Sequence, residues 1–460
     1  MKKIILTIIV LCVISSSCEK KLDEYAINPN DPENVNLSLL LGGAEVGTFA
    51  NYTGDLARVT NLFTQHIAGT EGQYQDLARY DLNDQTFLNH WRNMYNGVMV
   101  NTDRLIKDSG TESPWYSGMG KVLMAMNLGL TTDLWGDVPY TDAFKALEGN
   151  TTPTYDTQES IINSIQQLLD AAIVDFDQPV TANTFRPSTD DIIFNGDVAK
   201  WKRAAYILKA RYSNRLSQVD PTGSATQALQ ALTSAGLVND PGADMMAIFY
   251  DSGTSLNQWA AFMSERGYIR MGEYFVDKMI ASNDPRLPFF AGVDEAGGYS
   301  GTDVSDQANV ATSPPGPGVA SNDSPLPLVT YPEAKFIEAE ANLRLGNAAA
   351  AAAAHNEAVT ASVLRVTGAA APAAFVAAVA SETAGTITLE KIISQKHSAL
   401  FTEIEPYNDF RRTGFPALTP NPNGVTPQIP LRLPSSVEER LYNPNAIIVT
   451  DIYSPVWWDK

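Results

Sequence analysis

Apolar residues recur every third or fourth position over most of the chain, and the fullest such run is Thr330–Ala361, TYPEAKFIEAEANLRLGNAAAAAAAHNEAVTA. Thr330 and Glu333 have capping-box spacing, and Pro332 suits a first helical turn. Phe336, Ile337, Glu340, Leu343 and Arg344 follow at helical spacing, which gives one apolar and one charged side. Gly346-Asn347 ends that helix, and an Ala-rich helix resumes through Val359. Small residues at Ala339, Ala351 and Ala358 let the two antiparallel helices approach closely. The pattern predicts a tetratricopeptide-like pair, a helix–turn–helix repeated about every 34 residues. One pair cannot bury its apolar face alone, so partners must lie elsewhere in the chain.

The same periodicity predicts them. Asp84 is placed to cap a helix carrying Phe87, Trp91, Met94, Tyr95, Val98 and Leu105. Ser113-Pro114 opens another through Trp115, Met119, Val122, Met126 and Leu130, ending at Trp135-Gly136. Gln158–Phe176 and Val198–Val219 form two more, and Trp91, Met94 and Met126 sit at core spacing rather than as a cofactor box. Beyond the opening pair, a short helix is expected over Pro372–Val379 and a longer one over Thr388–Ile404, with a last turn capped by Ser436 and Glu439. Two regions break the pattern: Thr64–Asn83, and a stretch from about Pro241 to Val329 interrupted by a helix over Gly272–Ala281. Such long irregular stretches inside a compact domain tend to be functional.

The first residues are not part of this pattern. Lys2 and Lys3 precede an apolar run, Ile4–Ile14, then Ser15-Ser16-Ser17-Cys18, which reads as a signal peptide over residues 1–17. Cys18 after small residues resembles a bacterial lipobox, so Cys18 is expected to be acylated; Ser15 departs from the usual Leu. Residues 18–36, with Asn28-Pro29-Asn30-Asp31-Pro32 at their centre, read as lipid anchor and tether, and 37–460 as a single domain. Cleavage removes two lysines and takes the formal charge from −20 to −22. So acidic an exported chain repels phosphate, and nucleic acid is excluded as a partner. At 44% hydrophobic over 460 residues, packing suffices for a large core without disulfides.

Catalytic patterns are missing from the sequence. His66, His90, His355 and His397 are scattered, without ligand spacing, and no GxSxG elbow, Walker loop or GxGxxG occurs. Asp303 and Asp306 can be imagined around Ca²⁺, but they lack an EF-hand pattern and fit a solvated acidic loop better. Arg411-Arg412 can meet an anion, though Glu405 and Asp409 beside them favour structural ion pairs. No metal, cofactor or enzyme activity is expected.

An ordered set of segments then resembles one family. These are Cys18 with its signal, NPNDP from Asn28, WRNMYNGVMVNTDRLIKD from Trp91, LWGDVPYTDAF from Leu134, NDPRLPFF from Asn283, PLPLVTYPEAKFIEAEANLRLG from Pro325 and EPYNDFRRTGFP from Glu405. Together they resemble the SusD/RagB nutrient-binding outer-membrane lipoproteins of Bacteroidetes. The resemblance implies a mainly α fold, tetratricopeptide-like hairpins carrying a large irregular ligand-binding portion. It implies a lipid-anchored outer-membrane surface protein that binds oligosaccharide and delivers it to a SusC-like TonB-dependent transporter. Peptide capture of the RagB kind is the alternative, and a scaffold binding only proteins, or a glycoside hydrolase, are readings from other classes. Sugar rings stack on aromatic faces while their hydroxyls need planar donors and acceptors. On that chemistry the loops offer Tyr74, Trp259, Tyr268 and Tyr299 as platforms, with Gln65, Asn257 and Arg270 as hydrogen-bonding groups.

Overall fold

The computed structural model describes residues 36–460. The expected signal segment, Cys18 and all of the tether except Asn36 lie outside the described residues. Among the described residues no helix is long and apolar enough to cross a membrane.

The chain opens with two helices that the periodicity did not announce, α1 (Leu37–Thr53) and α2 (Asp55–Phe63). α1 buries one face, but polar Glu45, Thr48 and Asn51 lie on it while Leu39 and Val46 are exposed, so the sequence shows no clean apolar stripe; α2 is buried along nearly its whole short length, Asn61 included. Asn36 caps α1 by accepting from Ser38 N at 3.1 Å. Leu88–Arg92, a π-helical stretch Asn93–Met99 and α3 (Val100–Ser109) follow without a break. Asp84 does not cap them; its carboxylate holds Arg440 instead, Nη2 to Oδ2 2.6 Å. Then come α4 (Pro114–Trp135), α5 (Gln158–Phe176), α6 (Val198–Arg215) and α7 (Pro221–Ala235). The expected helix through Val219 therefore ends at Arg215, and Asp220 caps a separate one by accepting from Gly223 N at 2.9 Å.

The second irregular region is more regular than its composition suggests. It holds α8 (Gln258–Glu265) and α9 (Glu273–Ala281) besides short strands. The predicted pair is present as α10 (Tyr331–Arg344) and α11 (Ala348–Thr367). Ala339, Ala351 and Ala358 are fully buried between them with Phe336 and Val359. Thr330 accepts from Glu333 N at 3.4 Å, but the Glu333 carboxylate turns inward to Arg211 rather than completing the capping box. The expected Thr388–Ile404 helix stops at Ala399 as α12 (Leu389–Ala399), and Glu405–Thr413 forms a further helix, α13.

From α3 to α11 each long helix packs on the next, α7 reaching directly to α10, so the hairpins stack into one array. Where α4, α6, α10, α12 and α13 meet, charges rather than methyl groups fill the centre. Arg211 grips Glu333 with two bonds of 2.5 and 2.6 Å, and Arg215 Nη2 reaches Glu405 at 2.8 Å and Asp133 at 3.0 Å. Arg412 closes on Glu340 and on Asp409, and Lys396 Nζ lies 2.9 Å from Asp409. Buried charges persist only when paired in this way. Arg411 binds the carbonyls of Asp133 and Leu431, both at 2.8 Å, and lies over Tyr407 and Trp458. The double arginine is thus structural. Trp458, fully buried near Ile162 and Val456, also lies under Arg215, and its backbone N donates to Gln158 Oε1 at 3.2 Å.

Candidate functional site

The irregular segments meet on one face. Strands β1 (Ile67–Gly69) and β3 (Ile269–Met271) pair antiparallel, Ile67 opposite Met271, which ties the first irregular region to the second. A second small ladder joins β2 (Met245–Ala247) to β4 (Leu326–Val329). Gly272 and Gly301 allow the close approach: a Cβ on Gly272 would lie 2.2 Å from Gln65 O, and one on Gly301 2.3 Å from Glu273 Cα. Gln307 donates to Gly69 O at 2.8 Å and accepts from Arg79 Nε at 2.8 Å. The segment after α13 joins in, with Asn421 donating to Ala78 O and Asn423 to Ser305 O, each at 2.9 Å.

Between these segments lies an open cleft of about 710 Å³, bounded by Gln65, one side of α9, Thr302–Ser305 and the stretch from Ala417 to Pro422. Phe275, Val276 and Met279 bury the inner side of α9, so Glu273, Tyr274, Asp277 and Lys278 are left to the cleft. Burial, then Asp303 and Asp277, raises the Glu273 carboxyl above its ordinary value. Burial, then Arg286, lowers the Lys278 ammonium to about 7, while its Nζ donates to Ser394 O. Tyr274 is half-buried, its ring edge-on to His397 at 5.8 Å. Behind it the imidazoles of His66 and His397 stack at 3.7 Å, each donating from Nε2 to a backbone oxygen, His397 O at 2.8 Å and Thr64 O at 2.9 Å. The cleft therefore offers carboxylates, hydroxyls, an amine and one phenol ring, a set suited to holding a polyhydroxylated ligand.

Of the residues singled out from sequence, Gln65 borders this cleft, though its amide already donates to Thr419 O. Three others belong to the core. Trp259 is completely buried in α8, its indole N–H donating to Thr53 O at 2.9 Å and its ring edge-on to Phe401 at 5.5 Å. Tyr74 is completely buried, its hydroxyl donating to Asp55 and accepting from Arg58 Nε at 2.7 Å. Asn257 caps α8 from a buried position, accepting from Trp259 N at 2.7 Å and Ala260 N at 3.0 Å. Rings and amides so enclosed have no face left for a sugar. Arg270 clamps backbone, donating to Val310 O at 2.8 Å, Ile269 O at 3.0 Å and Gly267 O at 3.1 Å. Tyr268 is half-buried over Gly72 and against Phe262, and Tyr299 is half-buried against the main core. Asp303 and Asp306 are exposed, and Asp303 Oδ1 accepts from Ser305 N at 2.7 Å; among the described residues no group of three or more His, Cys, Asp or Glu could hold a metal ion. Tyr274, Asp277 and Lys278 were missed, although the outward positions of the predicted Gly272–Ala281 helix would have given them.

A smaller cleft of about 350 Å³ lies beside the π-helical stretch, between Tyr95, Phe144, Leu147 and Glu438. Its charges are spent internally, Arg92 on Glu438 and Lys145 on Asp142, and Trp91 and Tyr155 both donate to Glu439. Fewer polar groups remain there for a ligand than in the larger cleft.

A family model for SusD-like proteins, described as starch-binding and associating with the outer membrane, matches residues 29–434. The chain belongs to the SusD-like family. Among solved structures it is similar to a chitin-binding protein, at 23% identity over 92% of this chain and 100% of the other, with a TM-score of 0.78. A chitin-binding SusD homolog from Flavobacterium johnsoniae aligns at 21% identity over 91% and 98%, TM-score 0.76. A SusD/RagB family protein from Bacteroides thetaiotaomicron aligns at 23% over 93% and 99%, TM-score 0.72. At such identities these neighbours establish the SusD-like fold. No curated protein matches the chain.

Proposed function

We propose that this SusD-like chain is the ligand-capturing lipoprotein of an outer-membrane uptake system. It binds oligosaccharide on the loop face and passes it to a SusC-like TonB-dependent transporter, without chemical turnover. The observation that carries the reading is the open 710 Å³ cleft, built from loops on a SusD-like helical scaffold and lined by Tyr274 and by carboxylate and hydroxyl groups. Loops held by a rigid array are where binding groups concentrate. The chitin-binding neighbours of the same fold support a glycan over other ligands. Tyr268 and Tyr299, half-buried elsewhere in the same loops, remain secondary contacts of the proposed face. Cys18 supplies the lipid in this scheme, and residues 19–36 the tether.

A second reading has one observation in its favour. Glu273, Asp277 and Asp303 give the cleft three carboxylates, which suits a basic peptide. Calorimetry of the mature chain with chitooligosaccharides, maltooligosaccharides and lysine-rich peptides separates the two. Saturable glycan binding without product formation is expected. Asp277 is exposed on α9, so Asp277→Ala should leave the unfolding midpoint unchanged. Losing a hydrogen bond to a charged group should weaken binding about tenfold or more. Binding of peptides alone would replace the glycan reading, and binding of neither would remove the cleft as the site.

A further inference from the structure

α9 and α12 lie side by side at the edge of the loop-face cleft. His397 of α12 meets the rings of Tyr274 and Phe275 at 5.8 and 6.0 Å, and Lys278 Nζ donates to the Ser394 carbonyl. Glu390, Ser394 and His397 follow at helical spacing, so one stripe of α12 runs along α9. Beyond Ser394 is another open cleft, of about 470 Å³. It is lined by Glu390, Lys391, Ser394 and Gln395 of α12 and by the end of the short helix Ala373–Val379.

The two clefts share no lining residue, yet Lys278 borders the first and Ser394 the second, so the Lys278–Ser394 bond is the ridge between them. Tyr274 is an independent link. It lines the first cleft, and after burial the group that raises its phenol above the ordinary value is Glu390, which lines the second. The ridge itself is exchangeable. Lys278 reaches no carboxylate among the described residues, only the neutral Ser394 carbonyl, and a sugar hydroxyl can replace that acceptor without leaving the amine unbonded. Unused polar groups lie on both sides of it. The carboxylates of Glu273 and Asp277 in the first cleft and of Glu390 in the second make no hydrogen bond or ion pair among the described residues, and the Tyr274 hydroxyl makes no hydrogen bond. Lys391, by contrast, is spent 2.8 Å from Glu382 and 3.0 Å from Thr386 O. Carboxylates without a charged partner are free to accept from hydroxyl groups. The first cleft alone follows α9 from Glu273 to Ala281, about 12 Å of helical rise, so a ligand occupying both clefts is longer than that.

We propose that the two clefts are one elongated groove, and that its ligand is a linear oligosaccharide laid across the Lys278–Ser394 ridge with Tyr274 at the crossing. This assignment rests on the glycan reading of the loop face. It adds the length of the ligand: the groove favours chains that leave the first cleft over mono- and disaccharides, which fill that cleft only.

The test titrates the mature protein calorimetrically with chitooligosaccharides and with maltooligosaccharides, each from the disaccharide to the hexasaccharide. In the series that binds, affinity should rise at least about tenfold from the shortest bound chain to the hexasaccharide. Ala378 and Glu390 are exposed, so Ala378→Trp, which fills the second cleft, and Glu390→Ala, which removes its free acceptor, should leave the unfolding midpoint near that of the wild type. Each should lower hexasaccharide affinity about tenfold, toward that of the shortest bound chain, whose own affinity holds. Binding of short chains with no gain in longer ones, or a gain retained in both variants, overturns the inference and leaves the loop-face reading standing. Binding at no length in either series removes that reading and the inference with it.

Discussion

Replacing Trp259 with Ala separates packing from ligand contact more sharply than any other single change. The indole is fully enclosed, meets Phe401 edge-on at 5.5 Å and donates to Thr53 O at 2.9 Å. Truncating a buried Trp to Ala costs about 3–5 kcal/mol, because the surroundings relax only partly around the cavity. The Thr53 carbonyl, left at the join between α1 and α2, loses its donor and adds about 1 kcal/mol. The expected loss is therefore about 4–6 kcal/mol, a large part of a typical domain's total of about 5–15 kcal/mol. Trp259→Phe keeps a ring against Phe401 and loses chiefly the N–H, so it should cost about 1–2 kcal/mol. Urea unfolding followed by far-ultraviolet circular dichroism gives both differences from the midpoint shift at constant slope. Calorimetry well below the transition then gives ligand affinity for the folded fraction, which should equal that of the wild type. An unchanged midpoint together with about tenfold weaker glycan binding would place the indole at the ligand and refute the packing argument.

Other expectations follow from the same geometry. Glu333→Leu strands the buried Arg211 guanidinium and should cost about 3–5 kcal/mol, whereas Arg211→Met with Glu333→Leu should cost less than the single change; denaturant melts of the three variants check the order. Burial depresses His66 from 6.5 to about 3 and His397 well below 6.5, so the unfolded chain takes up protons that the folded chain refuses. Stability from this source is complete above about 6.5 and falls as pH drops toward 3, by up to about 1.4 kcal/mol per pH unit for each histidine. Unfolding midpoints from pH 7.5 to pH 4 should accordingly fall less steeply in His66→Gln than in the wild type, and parallel curves would count against a neutral buried His66. Cys18→Ala should release the protein from membranes in cells lacking the transporter, as fractionation would show, because stable anchorage needs acyl chains.

What the sequence disclosed depended on how one-sided each element is. α5 and α11 bury apolar residues on one side, and their spacing sufficed; α10 is buried almost all round, Phe336 toward α11 and Ile337 in the main core, and its Thr330 cap and Pro332 marked it instead. α1 buries one face, but that face carries Glu45, Thr48 and Asn51 while Leu39 and Val46 lie exposed, so its sequence mixes apolar and polar on both sides; α2 is enclosed and only nine residues long, too short a run for the spacing of Leu56, Val59 and Leu62 to stand out. α7 did carry a signal, Asp220-Pro221 as cap and first turn, which the long α6 pattern ran over. The loop face was legible as a place: the two segments without periodicity are joined by the β1–β3 pairing. Its individual residues were not. Trp259 and Tyr74 lie in segments of irregular composition but are folded inward by long-range bonds to Thr53 and Asp55. Apart from Asp303, the ring and charges that do border the cleft, Tyr274, Glu273, Asp277 and Lys278, sit on the outward side of α9, a helix rather than a loop.

Trp458 carries a consequence for the order of events during synthesis. It lies under Arg215 and Arg411, and its backbone reaches Gln158, 300 residues earlier; Asn61 likewise binds Glu403 O, 342 residues later. Adjacent helices can dock as they emerge from the ribosome, since their contacts are local. The central array of charges cannot close until α13 and Trp458 have emerged, because its partners come from both halves of the chain. A nascent chain stalled after α11 has Glu333 for Arg211 and Asp133 for Arg215 but still lacks Glu405 and the indole. Contacts spanning so much of a chain form slowly. Closure of that centre therefore awaits the whole chain, whereas the contacts between neighbouring repeats do not.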